Sequence, residues 1–106
     1  MKDKAKGKVI LSSFKLDPAE KAIVDNLIAN YKDKISEKIS FQEIRLLLKK
    51  KLHGKAFFHE VRGNLIAGKI YSAKSEGFNL LAAIGECMEK LMHEAEHNKR
   101  TSRQKK

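Results

Sequence analysis

Asp17-Pro18-Ala19-Glu20 opens the one segment of this chain whose conformation is fixed by local chemistry alone. An Asp at the N-cap accepts from a first-turn amide, Pro suits the first helical position, and the Glu that follows can reach back to the cap amide. Ile23, Val24, Leu27, Ile28, Tyr31 and Ile35 then recur at helical spacing, with Lys21, Asp25, Lys32 and Lys38 on the other side, which predicts a helix over roughly residues 18–37. Directly afterwards the period changes. Over residues 41–52, Ile44, Leu46, Leu48 and Leu52 alternate with Glu43, Arg45, Lys49 and Lys51, the pattern of a strand with one buried face, broken mildly by Leu47 and Lys50. A chain holding both periods must form a mixed fold.

The remaining segments extend the pattern. Residues 8–14, KVILSSF, read as a short strand ahead of the helix. His53-Gly54-Lys55 marks a turn into a strand from about Ala56 to Ile66, with Phe57, Val61 and Leu65 on its inner face. Ala67-Gly68 turns again into a strand over residues 69–74. Phe78, Leu80, Leu81, Ile84, Cys87, Met88, Leu91 and Ala95 then form a helical stripe that ends near His97. The order β-α-β-β-β-α, with a single apolar stripe on each helix, predicts an α+β fold: a two-layer sandwich of a four-stranded sheet with both helices on one face. At 106 residues there is room for one core. Residues 1–7 are expected to be a basic lead-in, 8–97 the folded domain and 98–106 a flexible basic tail.

Charge indicates the kind of partner. The formal net charge is +10, and residues 45–74 carry Arg45, Lys49, Lys50, Lys51, Lys55, Arg62, Lys69 and Lys74 against the lone Glu60, a net of +7. Residues 97–106 add Lys99, Arg100, Arg103, Lys105 and Lys106 with no acid, whereas residues 75–96 hold five Glu and only Lys90. Charge segregated in this way attracts a polyanion, and each cation that neutralises a phosphate releases counterions. The candidate RNA-binding residues are Arg45, Lys49, Lys51, Lys55, Arg62, Lys69 and Lys74 on the meander, Lys90 on the second helix, and Lys99, Arg100 and Arg103 beyond it. Phe57, Phe58 and Tyr71 could stack on bases, but rings at such positions commonly belong to the core.

Catalytic constellations are sparse. His93-Glu94-Ala95-Glu96-His97 matches the H-E-x-x-H spacing that sets two imidazoles one turn apart for zinc. Residues 98–106 offer no His, Asp or Glu to complete such a site, and two solvent-facing histidines are the expectation. Cys87, the single cysteine, lies on the apolar stripe as a buried thiol and excludes an intrachain disulfide. No phosphate-loop motif occurs, and the longest N-terminal apolar run, residues 9–11, is far short of a signal or membrane segment. The chain is expected to be cytoplasmic and monomeric when free, with no enzymatic activity, cofactor, metal, membrane partner or small-molecule substrate.

The element order, together with Tyr71-Ser72-Ala73-Lys74-Ser75-Glu76-Gly77-Phe78-Asn79-Leu80-Leu81-Ala82-Ala83-Ile84 and the later Glu89-Lys90-Leu91, resembles the ribosome hibernation-promoting factor family, also called the ribosome-associated inhibitor A family. The resemblance spans about residues 8–97 and fits the short form. It implies a four-stranded sheet, its first strand parallel to the second, backed by two parallel helices. It also implies a translation inhibitor that occupies the tRNA and mRNA channel of the small ribosomal subunit through contacts to rRNA and protects idle ribosomes. The sequence departs from the family where basic residues often line the second helix: Glu86, Glu89, Glu94 and Glu96 here outnumber Lys90, which moves the expected contact to the strands and the tail. A general binder of structured or double-stranded RNA is the alternative, since the β-β-β-α half resembles a double-stranded RNA-binding domain. The lysine-rich opening of that module's last helix is missing at residues 78–83.

Overall fold

The computed structural model describes the backbone of residues 7–12 and 15–104, and the side chains of those residues up to His97. In chain order the elements are β1 (Lys8–Ser12), α1 (Pro18–Lys38), β2 (Glu43–His53), β3 (Ala56–Ile66), β4 (Ile70–Gly77) and α2 (Leu80–Gln104). The strands form a single sheet in the order β1-β2-β3-β4. β1 is parallel to β2, and the other two pairings are antiparallel. The expected element order and α+β class are therefore observed, including the parallel first strand.

The cap of α1 forms as its sequence dictates. The Glu20 amide donates to Asp17 Oδ1 at 2.8 Å, the Asp17 amide donates to Glu20 Oε1 at 3.4 Å, and Pro18 opens the first turn. Val24, Ile28 and Ile35 are buried, Leu27 and Tyr31 are half-buried, and Ile23 remains 53% exposed, so the buried stripe is narrower than the sequence suggests. The two hairpins are tight. Gly54 (φ 64°) and Gly68 (φ 82°) take the left-handed backbone that β-branched and bulky residues avoid. Gln42 braces the second turn, its side-chain oxygen accepting from the Gly68 amide at 3.2 Å while its own amide donates to the Ile66 carbonyl at 2.8 Å.

α2 differs from expectation at both ends. Asn79 caps it, accepting from the Ala82 amide at 3.0 Å, so Phe78 precedes the helix and is 59% exposed instead of joining the apolar stripe. At the far end the helix continues through Gln104 instead of stopping near His97. Lys and Arg are good helix formers and favour the negative end of the helix dipole, so a gain of positive charge is no stop signal.

The helices run parallel in one layer. Gly85 faces the Tyr31 hydroxyl, Lys34 Nζ meets Glu89 Oε2 at 3.5 Å, and Lys38 Nζ meets Glu96 Oε2 at 3.5 Å, an order that advances together along both helices. α2 lies across β3 and β4, and α1 packs beside it. Ile44, Leu46, Leu48, Val61 and Leu65 from the sheet close one core with Ile84, Cys87, Met88 and Leu91 from α2. Gly63 permits this approach: a Cβ there would lie 2.9 Å from Cys87 Sγ and from Leu91 Cδ1. Among the described residues, no helix covers the other sheet face.

Candidate nucleic-acid interface

Alternation along paired strands decides which side chains share the helix-free face. Register places Lys8, Ile10 and Ser12 of β1, Glu43, Arg45, Leu47, Lys49, Lys51 and His53 of β2, Ala56, Phe58, Glu60, Arg62, Asn64 and Ile66 of β3, and Ile70, Ser72, Lys74 and Glu76 of β4 on that side. Of the predicted cations, Arg45, Lys49, Lys51, Arg62 and Lys74 are thus brought together, and Lys8 joins them from β1. The helix layer is uneven: α1 and α2 up to His97 hold five Lys against eight acids, and Lys99, Arg100 and Arg103 in the last turns of α2 bring the two helices to balance. A field with a direction follows from this two-layer segregation.

The face is less basic than the local sequence implies. Glu43 and Glu76, from outside residues 45–74, lie on it beside Glu60, and each binds a cation. Arg45 Nε donates to Glu43 Oε2, and Lys74 Nζ stands 3.5 Å from Glu76 Oε2. Arg62 Nε donates to Glu60 Oε2 at 2.7 Å, and Lys51 Nζ lies 3.9 Å from Glu60 Oε1. The Glu60 side chain is only 8% exposed, covered by the long cationic side chains around it and not sunk in the core. The hydrogen bond from Arg62 is the main cause holding its carboxyl below the ordinary value, against a smaller opposing effect of desolvation. All four cations in these pairs keep more than half of their side-chain surface exposed, so they can still meet phosphates. Lys49 has no ion-pair partner among the described residues.

Between the strands lies a shallow concavity of about 700 Å³, lined by Ser12, Arg45, Arg62, Asn64, Ser72 and Lys74 among others. Ser72 Oγ donates to Asn64 Oδ1 at 2.7 Å, and Arg45 stands opposite Asn64 in the register. Guanidinium, ammonium, amide and hydroxyl donors therefore converge on one hollow. Such a surface can bind several phosphate oxygens.

The other predicted residues lie elsewhere. Lys55 is in the β2–β3 turn, and Lys69 is in the β3–β4 turn at the opposite end, its Nζ 5.9 Å from the Tyr71 ring. Lys90 donates to the Lys74 carbonyl at 2.8 Å, which engages its ammonium at the edge of β4. Lys99, Arg100 and Arg103 belong to the last turns of α2, in the helix layer, and their side chains lie outside the described residues. The acids of α2 that departed from the family pattern have a structural use, since Glu89 and Glu96 pair with lysines of α1. The Tyr31 hydroxyl sits beside Glu89, and burial together with that carboxylate raises its pKa.

Sequence reasoning missed two ring residues on the open face. His53, Phe58 and Phe78 cluster at the hairpin end, with centroids 5.3 Å apart for His53–Phe58 and 5.0 Å for Phe58–Phe78. His53 could have been found by extending the β2 alternation one step beyond Lys51; Phe78 was obscured by its helical spacing from Leu81. Phe57 points to the helix side but lies beyond the helices, 51% exposed, with Lys50 Nζ 5.0 Å from its ring. Tyr71 is half-buried against the core.

His93 and Glu94 are exposed, and His93 Nε2 lies 4.0 Å from Glu89 Oε1. Among the described residues no group of three His, Cys, Asp or Glu side chains could hold a metal ion. Burial pushes the Cys87 thiol up to about 11, far from the value of a nucleophile.

No family model matches the chain, and no curated protein matches it by sequence. Solved structures do. A ribosomal subunit interface protein from Coxiella burnetii superposes with a TM-score of 0.61 at 13% identity, covering 88% of this chain and 98% of that one. The N-terminal domain of Protein Y from Thermus thermophilus gives a TM-score of 0.50 at 20% identity, covering 82% and 90%. The fold implied by the resemblance to the hibernation-promoting factor family is thus the fold observed, and the chain shares it with a ribosomal subunit interface protein and with a Protein Y N-terminal domain.

Proposed function

We propose that this chain is a ribosome-binding translation inhibitor of the hibernation type, which lays its helix-free sheet face on rRNA phosphates in the tRNA and mRNA channel of the small subunit. The observation that carries the reading is the gathering of Lys8, Arg45, Lys49, Lys51, Arg62 and Lys74 on one face, opposite helices that are net acidic up to His97. Likeness of fold to a protein named for the ribosomal subunit interface supports the choice of partner. The protein acts by occupancy, as a cytoplasmic monomer without cofactor or small-molecule substrate, and performs no reaction. Lys55 and Lys69 extend the contact at the two ends of the sheet, and Lys99, Arg100 and Arg103 add long-range attraction from the end of α2.

Competition separates this reading from general RNA binding. Purified protein is mixed with small subunits, with and without tRNA, and with an RNA duplex of arbitrary sequence. Binding to subunits that tRNA displaces is the expected result. Equal affinity for the duplex, with no competition by tRNA, would transfer the assignment to the general structured-RNA binder.

A further inference from the structure

We infer that the hairpin end of the helix-free face is a stacking site for an unpaired RNA base, built from His53, Phe58 and Phe78, with Lys51 and Lys55 holding the adjoining phosphates. This rests on the phosphate-binding reading of the same face and gives it a second kind of contact. Phe58 and Phe78 meet edge to face at an interplanar angle of 74°, so at least one of the two rings keeps its faces clear of the other. His53 lies edge-on to Phe78 at 6.3 Å and tilted against Phe58. Phe78 and His53 are exposed, and Phe58 is half-buried, which fixes it as the base of the cluster. The three rings come from different places in the chain: the end of β2, the start of β3, and the residue between Gly77 of β4 and the Asn79 cap. The cap and the register hold them together in the folded protein without any ligand.

Charge selects the occupant. Lys51 stands directly opposite Phe58 in the register, and Lys55 lies in the turn beside it. Glu60 and Glu76 are the acids nearest the rings along β3 and β4, and they are held by Arg62 with Lys51 and by Lys74 respectively, while on its helix side Phe78 borders hollows that Glu20 of α1 and Glu86 of α2 also line. Exposed rings bordered by Lys51 and Lys55 on the β2–β3 side suit a stacked base whose flanking phosphates lie on that side, and stacking is tolerant of base identity because every base has a π face. A duplex keeps its bases stacked on each other and cannot use the rings. The site therefore takes single-stranded or bulged RNA.

The test uses fluorescence anisotropy of the full chain with a labelled single-stranded oligoadenylate of about 12 nucleotides, and with the same length of RNA duplex. Phe78→Ala should weaken single-strand binding by roughly 5- to 150-fold, the range for one stacked base. Duplex binding and the salt slope should be unchanged, and Phe78→Trp should retain wild-type affinity. Should the alanine variant melt early, Phe78→Leu keeps the apolar bulk without the π face and is expected to show the same loss. Arg62→Glu serves as the reference for phosphate contact. Loss of binding with Arg62→Glu but not with the Phe78 variants would overturn the stacking site and leave the phosphate face standing. No loss with either would overturn both, and an equal loss for single strand and duplex on Phe78→Ala would overturn base stacking.

Discussion

In the middle of the helix-free face, Arg62 Nε donates to Glu60 Oε2 at 2.7 Å, so the most enclosed acid on that face occupies a guanidinium that an RNA phosphate would also engage. Phosphate and carboxylate compete for the same donors. Glu60→Gln removes the competing charge and should raise RNA affinity about two- to fourfold at low salt, the scale of one unit charge 5–10 Å away in a water-like dielectric. Titration of wild type and variant with the same RNA checks it; a lower affinity for Glu60→Gln would show that the carboxylate positions Arg62 productively.

The same pair makes stability depend on pH in a definite direction. Glu60 has a folded pKa below the ordinary 4.5, so the unfolded chain takes up its proton first as pH falls. Its contribution is complete above 4.5 and is lost as pH falls through the folded value. Wild type should therefore lose melting temperature in that acid window more steeply than Glu60→Gln. Parallel profiles for the two proteins would remove Glu60 from the acid-sensitive groups.

Gly63 is the point of closest approach between the sheet and α2. A methyl group there meets Cys87 Sγ and Leu91 Cδ1 at 2.9 Å and Leu46 Cδ2 at 3.0 Å. Gly63→Ala should destabilise the protein by about 1–3 kcal/mol, readable as a lower midpoint in denaturant or heat. RNA affinity per folded molecule should stay unchanged, because the added group points away from the binding face.

Cys87 is enclosed between α2 and the sheet, with a thiol pKa of about 11. A thiol-specific reagent at pH 8 should leave the native protein almost unmodified and label it fully after denaturation. Rapid labelling of the native chain would mean that α2 opens readily from β3 and β4.

The parts of the molecule legible in the sequence are those governed by near neighbours. Asp17 and Glu20 announce α1 because a cap is a contact between residues three apart, and β2 shows its two faces because alternation is a property of one strand. For the same reason Arg45, Lys49 and Lys51 could be assigned to one face of β2, whereas Arg62 and Lys74 reach that face through the pairing register. Pairing partners were not legible: Glu43 and Glu76 temper the face through the register of three strands, which no local count of charge contains. Phe78 misled because its spacing from Leu81 mimics a helix, whereas the Asn79 cap starts the helix after it. The end of α2 was read too early because charge was taken as a terminator in a segment without Gly or Pro.

The central claim is that a sheet face binds ribosomal phosphate, and co-sedimentation with small subunits across a salt series tests it most directly. Wild type should pellet with the subunits in low salt and release as salt rises, with log K falling by roughly 0.7–0.9 per log unit of salt for each phosphate contacted. Arg45→Glu, Lys49→Glu and Lys51→Glu combined should bind more weakly and with a shallower slope. Failure of the wild-type protein to pellet even in dilute buffer, or equal binding by the triple variant at every salt concentration, would contradict the account.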